Sequence, residues 1–143
     1  MRKAPQIIVE TTVAAPIAKV WQAYVTPADI MIWNTALESW HTTKASVDLR
    51  EGGAFSSRME AKDGSMGFDF AGTYSKIIPE SLIAYDFGDR KAEVHFTQQK
   101  GGVLVRVAFD PENENPVEMQ RGGWQAILDS FKRYVENQPA GRG

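Results

Sequence analysis

The chain has 143 residues, of which 43% are hydrophobic and 24% charged, and its formal net charge is −2. This length and balance are typical of one globular domain whose core needs no disulfide or structural metal. The absence of cysteine excludes thiolate metal sites and thiol catalysis, and the absence of a basic stripe argues against a nucleic-acid partner.

The first third of the chain predicts one strand and two helices. Residues 6–13, QIIVETTV, are rich in β-branched residues and predict a strand. Apolar residues spaced i, i+3, i+4, i+7 and i+8 from Ile17 predict an amphipathic helix. Thr26 is predicted to cap a second, short helix that ends near Trp33 or Asn34.

The middle of the chain alternates between apolar and polar residues and is divided by short turns that contain glycine or proline. One of these turns, Asp63-Gly64, is a strong hairpin signal. Short connections between successive strands predict an antiparallel sheet. The six predicted strands cover residues 44–50, 54–61, 66–78, 81–87, 91–99 and 103–109.

The last segment predicts a long helix that lies on the sheet. Asn115 is the predicted N-cap, Pro116 the first helical residue and Glu118 the capping-box acid. The element order is then β-α-α-β×6-α, in which a curved sheet of about seven strands wraps one long helix and leaves space that the helix alone need not fill. The apolar arc of this helix contains Val117, Trp124, Ile127, Leu128, Phe131, Tyr134 and Val135.

Two glycines and one glutamine interrupt the pattern of this helix. Gly122 and Gly123 each destabilise a helix by roughly 1 kcal/mol relative to alanine. Gly123 lies at the edge of the apolar arc, so either the helix packs closely on the sheet there or bare backbone faces a pocket. Gly122 lies almost opposite, and nothing in the sequence explains it. Gln120 lies within the arc, where its amide either contacts strand backbone or rim water, or forms a polar handle in an apolar cavity.

Many aromatic side chains lie on strand faces and helix arcs that should converge. Any one of them could be ordinary core, but together with Gly72 and Gly123 they predict a cavity lined by rings. The predicted ligand-binding residues are Trp33, Phe55, Met59, Phe70, Tyr85, Phe96, Gln120, Gly123, Trp124 and Phe131.

No catalytic or metal-binding motif is found. His41 and His95 lack the spacing of metal ligands, and there is no Gly-x-Ser-x-Gly motif. Asp69, Asp86 and Glu93 lie in predicted strands and could act as general bases if they faced inward, whereas outward, solvated carboxylates are the simpler interpretation. No catalytic residue, metal ligand or cofactor is therefore predicted.

The ends of the chain carry little structural signal. The apolar run at residues 7–9 is too short for a signal peptide or a membrane span, which predicts a cytoplasmic protein. One domain is expected over residues 1–143, ordered from about 6 to 136, with a disordered tail at 137–143 that lacks apolar residues.

The predicted order of elements resembles the helix-grip fold of the START-like, or SRPBCC, superfamily, an α+β fold. VAAPIAKVWQAYVTPADIMIW, VDLREGGAFSSRM, FAGTYSKIIPESLIAYDF and GGWQAILDSFKRYVE resemble the group related to the C-terminal domain of the heat-shock-protein-90 ATPase activator. FDPENENP followed by EMQRGGWQAIL is similar to a bacterial stand-alone branch of that group. The resemblance implies a deep hydrophobic cavity between sheet and C-terminal helix, and relatives that bind lipids, sterols or polyketides there.

Three functions are compatible with these expectations. Binding of a small hydrophobic or amphipathic molecule without catalysis is favoured by the predicted ring-lined cavity. A polyketide cyclase/aromatase-like or hydrolase-like enzyme would need an acid–base pair facing that cavity. A co-chaperone-like interaction module would need an exposed patch, and the full-length activator has a separate N-terminal domain for which this chain has no room. A monomer or a homodimer is expected.

Overall fold

The computed structural model describes residues 5–137 and has the predicted order β-α-α-β×6-α, with a curved seven-stranded antiparallel sheet. The fold is the helix grip. No helix in the described part is long and apolar enough to cross a membrane. The strands are β1 (Ile7–Val13), β2 (Trp40–Val47), β3 (Ala54–Ala61), β4 (Gly67–Ile78), β5 (Leu82–Phe87), β6 (Arg90–Gln99) and β7 (Gly102–Phe109), and the helices are α1 (Ile17–Val25), α2 (Pro27–Trp33) and α3 (Val117–Glu136). Residues 138–143 of the predicted disordered tail lie outside the described residues.

The sheet has the order β1-β7-β6-β5-β4-β3-β2, so β1 and β2 form its two edges. Side chains of α3 contact the free edge of β1. Gln125 Nε2 donates to the carbonyl oxygen of Glu10 at 3.2 Å, and Lys132 Nζ donates to that of Thr12 at 2.6 Å. An edge strand otherwise presents unpaired backbone groups. These two bonds give two carbonyl oxygens of β1 a partner and fix one side of α3 to the sheet.

The predicted N-terminus of α3 is wrong by one residue. Pro116 is the cap residue, and no side chain caps the helix. Asn115, the predicted cap, instead donates its side-chain amide to both carboxylate oxygens of Glu112, at 3.1 Å each. Glu118 pairs with Arg121 and makes no capping box. The side chain of Asn115 therefore binds Glu112 in the acidic loop before the helix, whereas the sequence pattern predicts that it caps the helix.

Thr26 occupies the N-cap position of α2 as predicted, but its side chain does not cap that helix. Its hydroxyl donates instead to the carbonyl oxygen of Gln22 at 2.6 Å, at the end of α1. Thr26 thus ends one helix and begins the next without an intervening loop.

Strand β2 begins at Trp40, earlier than the predicted start at residue 44, and ends at Val47. Its register shifts between Thr42 and Lys44, which breaks the alternation of faces. The Thr42 hydroxyl donates to the carbonyl oxygen of Asn34 at 2.7 Å, so this side chain turns towards the end of α2. A search for strict period-two alternation cannot find a strand through such an irregularity.

Candidate ligand-binding cavity

A cavity of about 320 Å³ lies between the inner face of the sheet and the part of α3 from Gln120 to Leu128. Small-molecule sites usually have about 300–1,000 Å³, so this volume is at the lower end of that range. The cavity opens to solvent, and Phe68, which lines it, is 48% exposed. Most of the predicted ligand-binding residues line it: Trp33, Phe55, Met59, Phe70, Tyr85, Gln120 and Trp124.

Aromatic rings in contact with one another form most of the wall. Trp124 stacks on Phe109 with 3.8 Å between centroids and 8° between planes, and its edge meets Phe70 at 6.1 Å. Phe55 contacts the edge of Tyr85 at 5.0 Å. Trp124 is only partly buried, because one side of its ring packs on the sheet and the residue also borders the cavity. The wall is therefore held in place by ring packing without closing the space.

Phe96 and Phe131 lie outside the cavity, contrary to the prediction that both line it. The ring of Tyr24 lies 5.4 Å from that of Phe96 and 5.1 Å from that of Phe131. Trp33 meets Phe131 at 4.9 Å. The two phenylalanines lie on the expected apolar faces, but helices α1 and α2 cover them with other rings.

Neither interpretation of Gly123 is correct. A Cβ added at this position would have nothing within 4 Å beyond the helix itself, so the backbone is not packed closely on the sheet. Gly123 is also not among the residues that line the cavity. The same open space surrounds Gly122, and nothing in the structure explains a glycine at either position.

Gln120 is buried and borders the cavity, but its amide holds the loop before its own helix. Its Oε1 accepts from the backbone N–H of Glu112 at 2.9 Å, and its Nε2 donates to the carbonyl oxygens of Glu112 and Asn115 at 3.2 and 2.8 Å. Both amide hydrogens are thereby used, which leaves one acceptor lone pair for a ligand. The predicted polar handle is mainly a structural anchor.

The Phe55 ring lies so close to Gly72 that no side chain fits at this position. Phe55 and Gly72 are directly paired between β3 and β4. A Cβ at Gly72 would lie 2.3 Å from the carbonyl oxygen of Asp86 and 2.8 Å from the Phe55 ring. The missing side chain therefore lets the Phe55 ring lie over β4 at Gly72 as part of the cavity wall.

Tyr24 and Tyr74 also line the cavity and were not among the predicted site residues. Burial raises the pKa of Tyr74 to about 12, with a smaller contribution from Asp48. Burial also raises the pKa values of Tyr24 and Tyr85, and neighbouring tyrosines add to both shifts. All three phenols therefore stay protonated at neutral pH. Tyr74 lies on the same face of β4 as Phe70. The alternation of this strand is therefore a sufficient signal for including Tyr74 among the cavity residues.

Arg90 and Glu112 are the charged residues that line the cavity. The guanidinium of Arg90 lies over the Phe87 ring at 4.5 Å from its centroid. The pKa of Glu112 is lowered mainly by the backbone N–H of Asn115, which donates to its carboxylate at 2.6 Å. Glu112 is therefore an ionised loop anchor at neutral pH.

The acidic residues of the strands do not line the cavity; they lie on the outer surface beside basic groups. Asp86 pairs with Lys91 at 2.8 Å and Glu93 with His95 at 2.9 Å. Asp69 lies 3.5 Å from Arg58. Within residues 5–137, no group of three or more His, Asp or Glu side chains could hold a metal ion.

A family model described as "Activator of Hsp90 ATPase homolog 1-like protein" matches residues 14–136. The chain belongs to this family. A comparison with curated proteins finds no match.

Solved structures of bacterial proteins agree with the family and the fold. The solution structure of the AHSA1-like protein from Aeromonas hydrophila is 38% identical and has a TM-score of 0.87, with 96% of this chain and 99% of that one covered. Chr148 from Cytophaga hutchinsonii is 47% identical over 96% of both chains, with a TM-score of 0.80. CV1439 from Chromobacterium violaceum, at 24% identity and a TM-score of 0.84 over 94% of this chain and 100% of that one, shares the fold.

Proposed function

We propose that this protein binds a small hydrophobic or amphipathic molecule, without catalysis, in the cavity between the sheet and α3. The observation that carries the proposal is the open space of about 320 Å³ framed by the rings of Phe55, Phe70 and Trp124. Water in such an apolar space is poorly bound, so an apolar molecule that replaces it gains free energy.

Polar groups at the border of the cavity favour an amphipathic molecule over a pure hydrocarbon. The side chain of Arg90 has no hydrogen-bond or ion-pair partner within residues 5–137, so its guanidinium is available beside the apolar wall. Tyrosine hydroxyls add neutral donors. A few polar groups in a mostly apolar pocket are typical of small-molecule sites.

The test is a titration with N-phenyl-1-naphthylamine, a neutral apolar dye whose fluorescence rises when it leaves water. Wild-type protein should give a saturable increase with one site per chain. Ser57 lines the cavity between Phe55 and Met59, so Ser57→Phe should fill it and weaken dye binding by about tenfold or more.

Ser56→Phe is the matched control, because neighbouring strand residues point to opposite faces of the sheet. It should leave the affinity for the dye unchanged. No saturable fluorescence with wild type, or an equal loss in both variants, would reject the cavity as the binding site. If Ser57→Phe does not fold, Ser57→Leu gives the same test with less added volume.

A further inference from the structure

The tyrosines of this chain are unevenly distributed. The chain has four tyrosines, and Tyr24, Tyr74 and Tyr85 all line the cavity. Tyr74 and Tyr85 are directly paired between β4 and β5, and Tyr24 reaches the same space from α1. The fourth, Tyr134, lies outside the cavity and donates its hydroxyl to Asp29.

The three cavity hydroxyls have no hydrogen-bond partner within residues 5–137. In the same residues, every fully buried side-chain oxygen or nitrogen has a hydrogen-bond partner. Because these three hydroxyls have none, they are not fully buried and must reach open space. Tyr74 and Tyr85 are only 7% and 8% exposed, which leaves the cavity as the space they reach. Buried hydroxyls normally find a partner, and here that partner has to come from what fills the cavity.

The hydroxyls are near enough to act together. Each of Tyr24 and Tyr85 is affected electrostatically by a neighbouring tyrosine, in addition to its burial. Phe55 packs on both Tyr74 and Tyr85, with ring centroids 5.1 and 5.0 Å away. The three phenols therefore form one polar patch in a ring-lined wall, and each can donate one hydrogen bond and accept others.

We propose that the hydroxyls of Tyr24, Tyr74 and Tyr85 bind a hydroxyl or carbonyl oxygen on an amphipathic ligand whose apolar part fills the cavity. This inference rests on the proposed binding function and specifies its ligand class. A hydrocarbon that fills the same space displaces water from these hydroxyls and offers them no hydrogen bond. Each hydroxyl left unpaired makes binding of the hydrocarbon less favourable. An oxygen placed at the patch removes that penalty.

The test compares two probes of the same ring system, 2-naphthol and naphthalene, by NMR titration of ¹⁵N-labelled protein. 2-Naphthol is the more water-soluble of the two, so hydrophobicity alone favours naphthalene. Wild type should bind 2-naphthol about tenfold more tightly than naphthalene. The triple variant Tyr24→Phe, Tyr74→Phe, Tyr85→Phe keeps the rings and should bind both probes with affinities within about twofold of each other. Tyr134→Phe, the matched control, should keep the wild-type preference.

The outcomes separate this proposal from the proposed function. Naphthalene binding without a preference for 2-naphthol, or a preference that survives in the triple variant, overturns the tyrosine assignment alone. Failure of both probes to bind wild type overturns the tyrosine assignment together with the cavity function. If the triple variant does not give a folded spectrum, the three single variants are compared. A reduced preference in any of them supports the proposal, and an unchanged preference in all three rejects it.

Discussion

The two halves of the space beneath α3 are built from the same kinds of side chain but are filled differently. In the C-terminal half, Phe131 is fully buried among the rings of Tyr24 and Trp33. In the N-terminal half, Trp124 and Phe70 border a cavity of about 320 Å³. Tyr24 and Trp33 also line that cavity, so they form the wall between the halves. The residues that α1 and α2 insert, more than the hydrophobicity of α3, therefore decide where the fold is open.

The largest expected difference is between matched truncations in the two halves. Phe131→Ala should lower the free energy of unfolding by about 3–5 kcal/mol, because it leaves a new void in a closed core. Phe70→Ala should lower it by only about 1–2 kcal/mol, because Phe70 is partly exposed and borders a space that is already open. Urea denaturation of both variants measures the difference. Equal losses would mean that the two halves are packed alike.

A second test concerns the wall of the open half. Gly72→Ala should destabilise the protein by about 1–3 kcal/mol, because the new methyl group would lie 2.3 Å from the Asp86 carbonyl oxygen and 2.8 Å from the Phe55 ring. The variant should also lose affinity for N-phenyl-1-naphthylamine, since Phe55 must move. A stable variant with normal dye binding would show that the β3–β4 wall is not tightly fitted at this point.

The sequence predicts the scaffold of both halves but not the boundary between them. Alternation in the strands and the 3.6-residue period of α3 give the apolar faces, and these follow from local geometry. Phe70 and Phe96 have the same pattern, yet one borders a void and the other meets Tyr24. Whether a strand ring contacts another ring depends on how α1 and α2 lie across the sheet. This placement of the helices cannot be predicted from a local sequence pattern. Gln120 shows the same limit, because its partners belong to an irregular loop.

A smaller effect of opposite sign is expected on α3 itself. Gly122→Ala and Gly123→Ala should each raise the free energy of unfolding by about 0.5–1 kcal/mol, because the added methyl group meets no neighbour and the helix gains propensity. Thermal unfolding measures the gain. Dye affinity should not change in Gly123→Ala, because this residue does not line the cavity. Destabilisation by either alanine would indicate a close contact on this side of the helix.

The last difference concerns a phenol of the open half, that of Tyr74, and is observed only at alkaline pH. Burial raises the pKa of Tyr74 from 10.0 to about 12, so the folded state holds this proton more tightly than the unfolded state does. The resulting stability is fully present below pH 10 and is lost as the pH rises through about 12. Tyr74→Phe cannot titrate, so its free energy of unfolding should fall less than that of wild type between these pH values, as measured by urea denaturation. Parallel curves for the two proteins would mean that water fills the cavity well enough to solvate the phenolate, and the open half would then be a wet cleft in place of an apolar cavity.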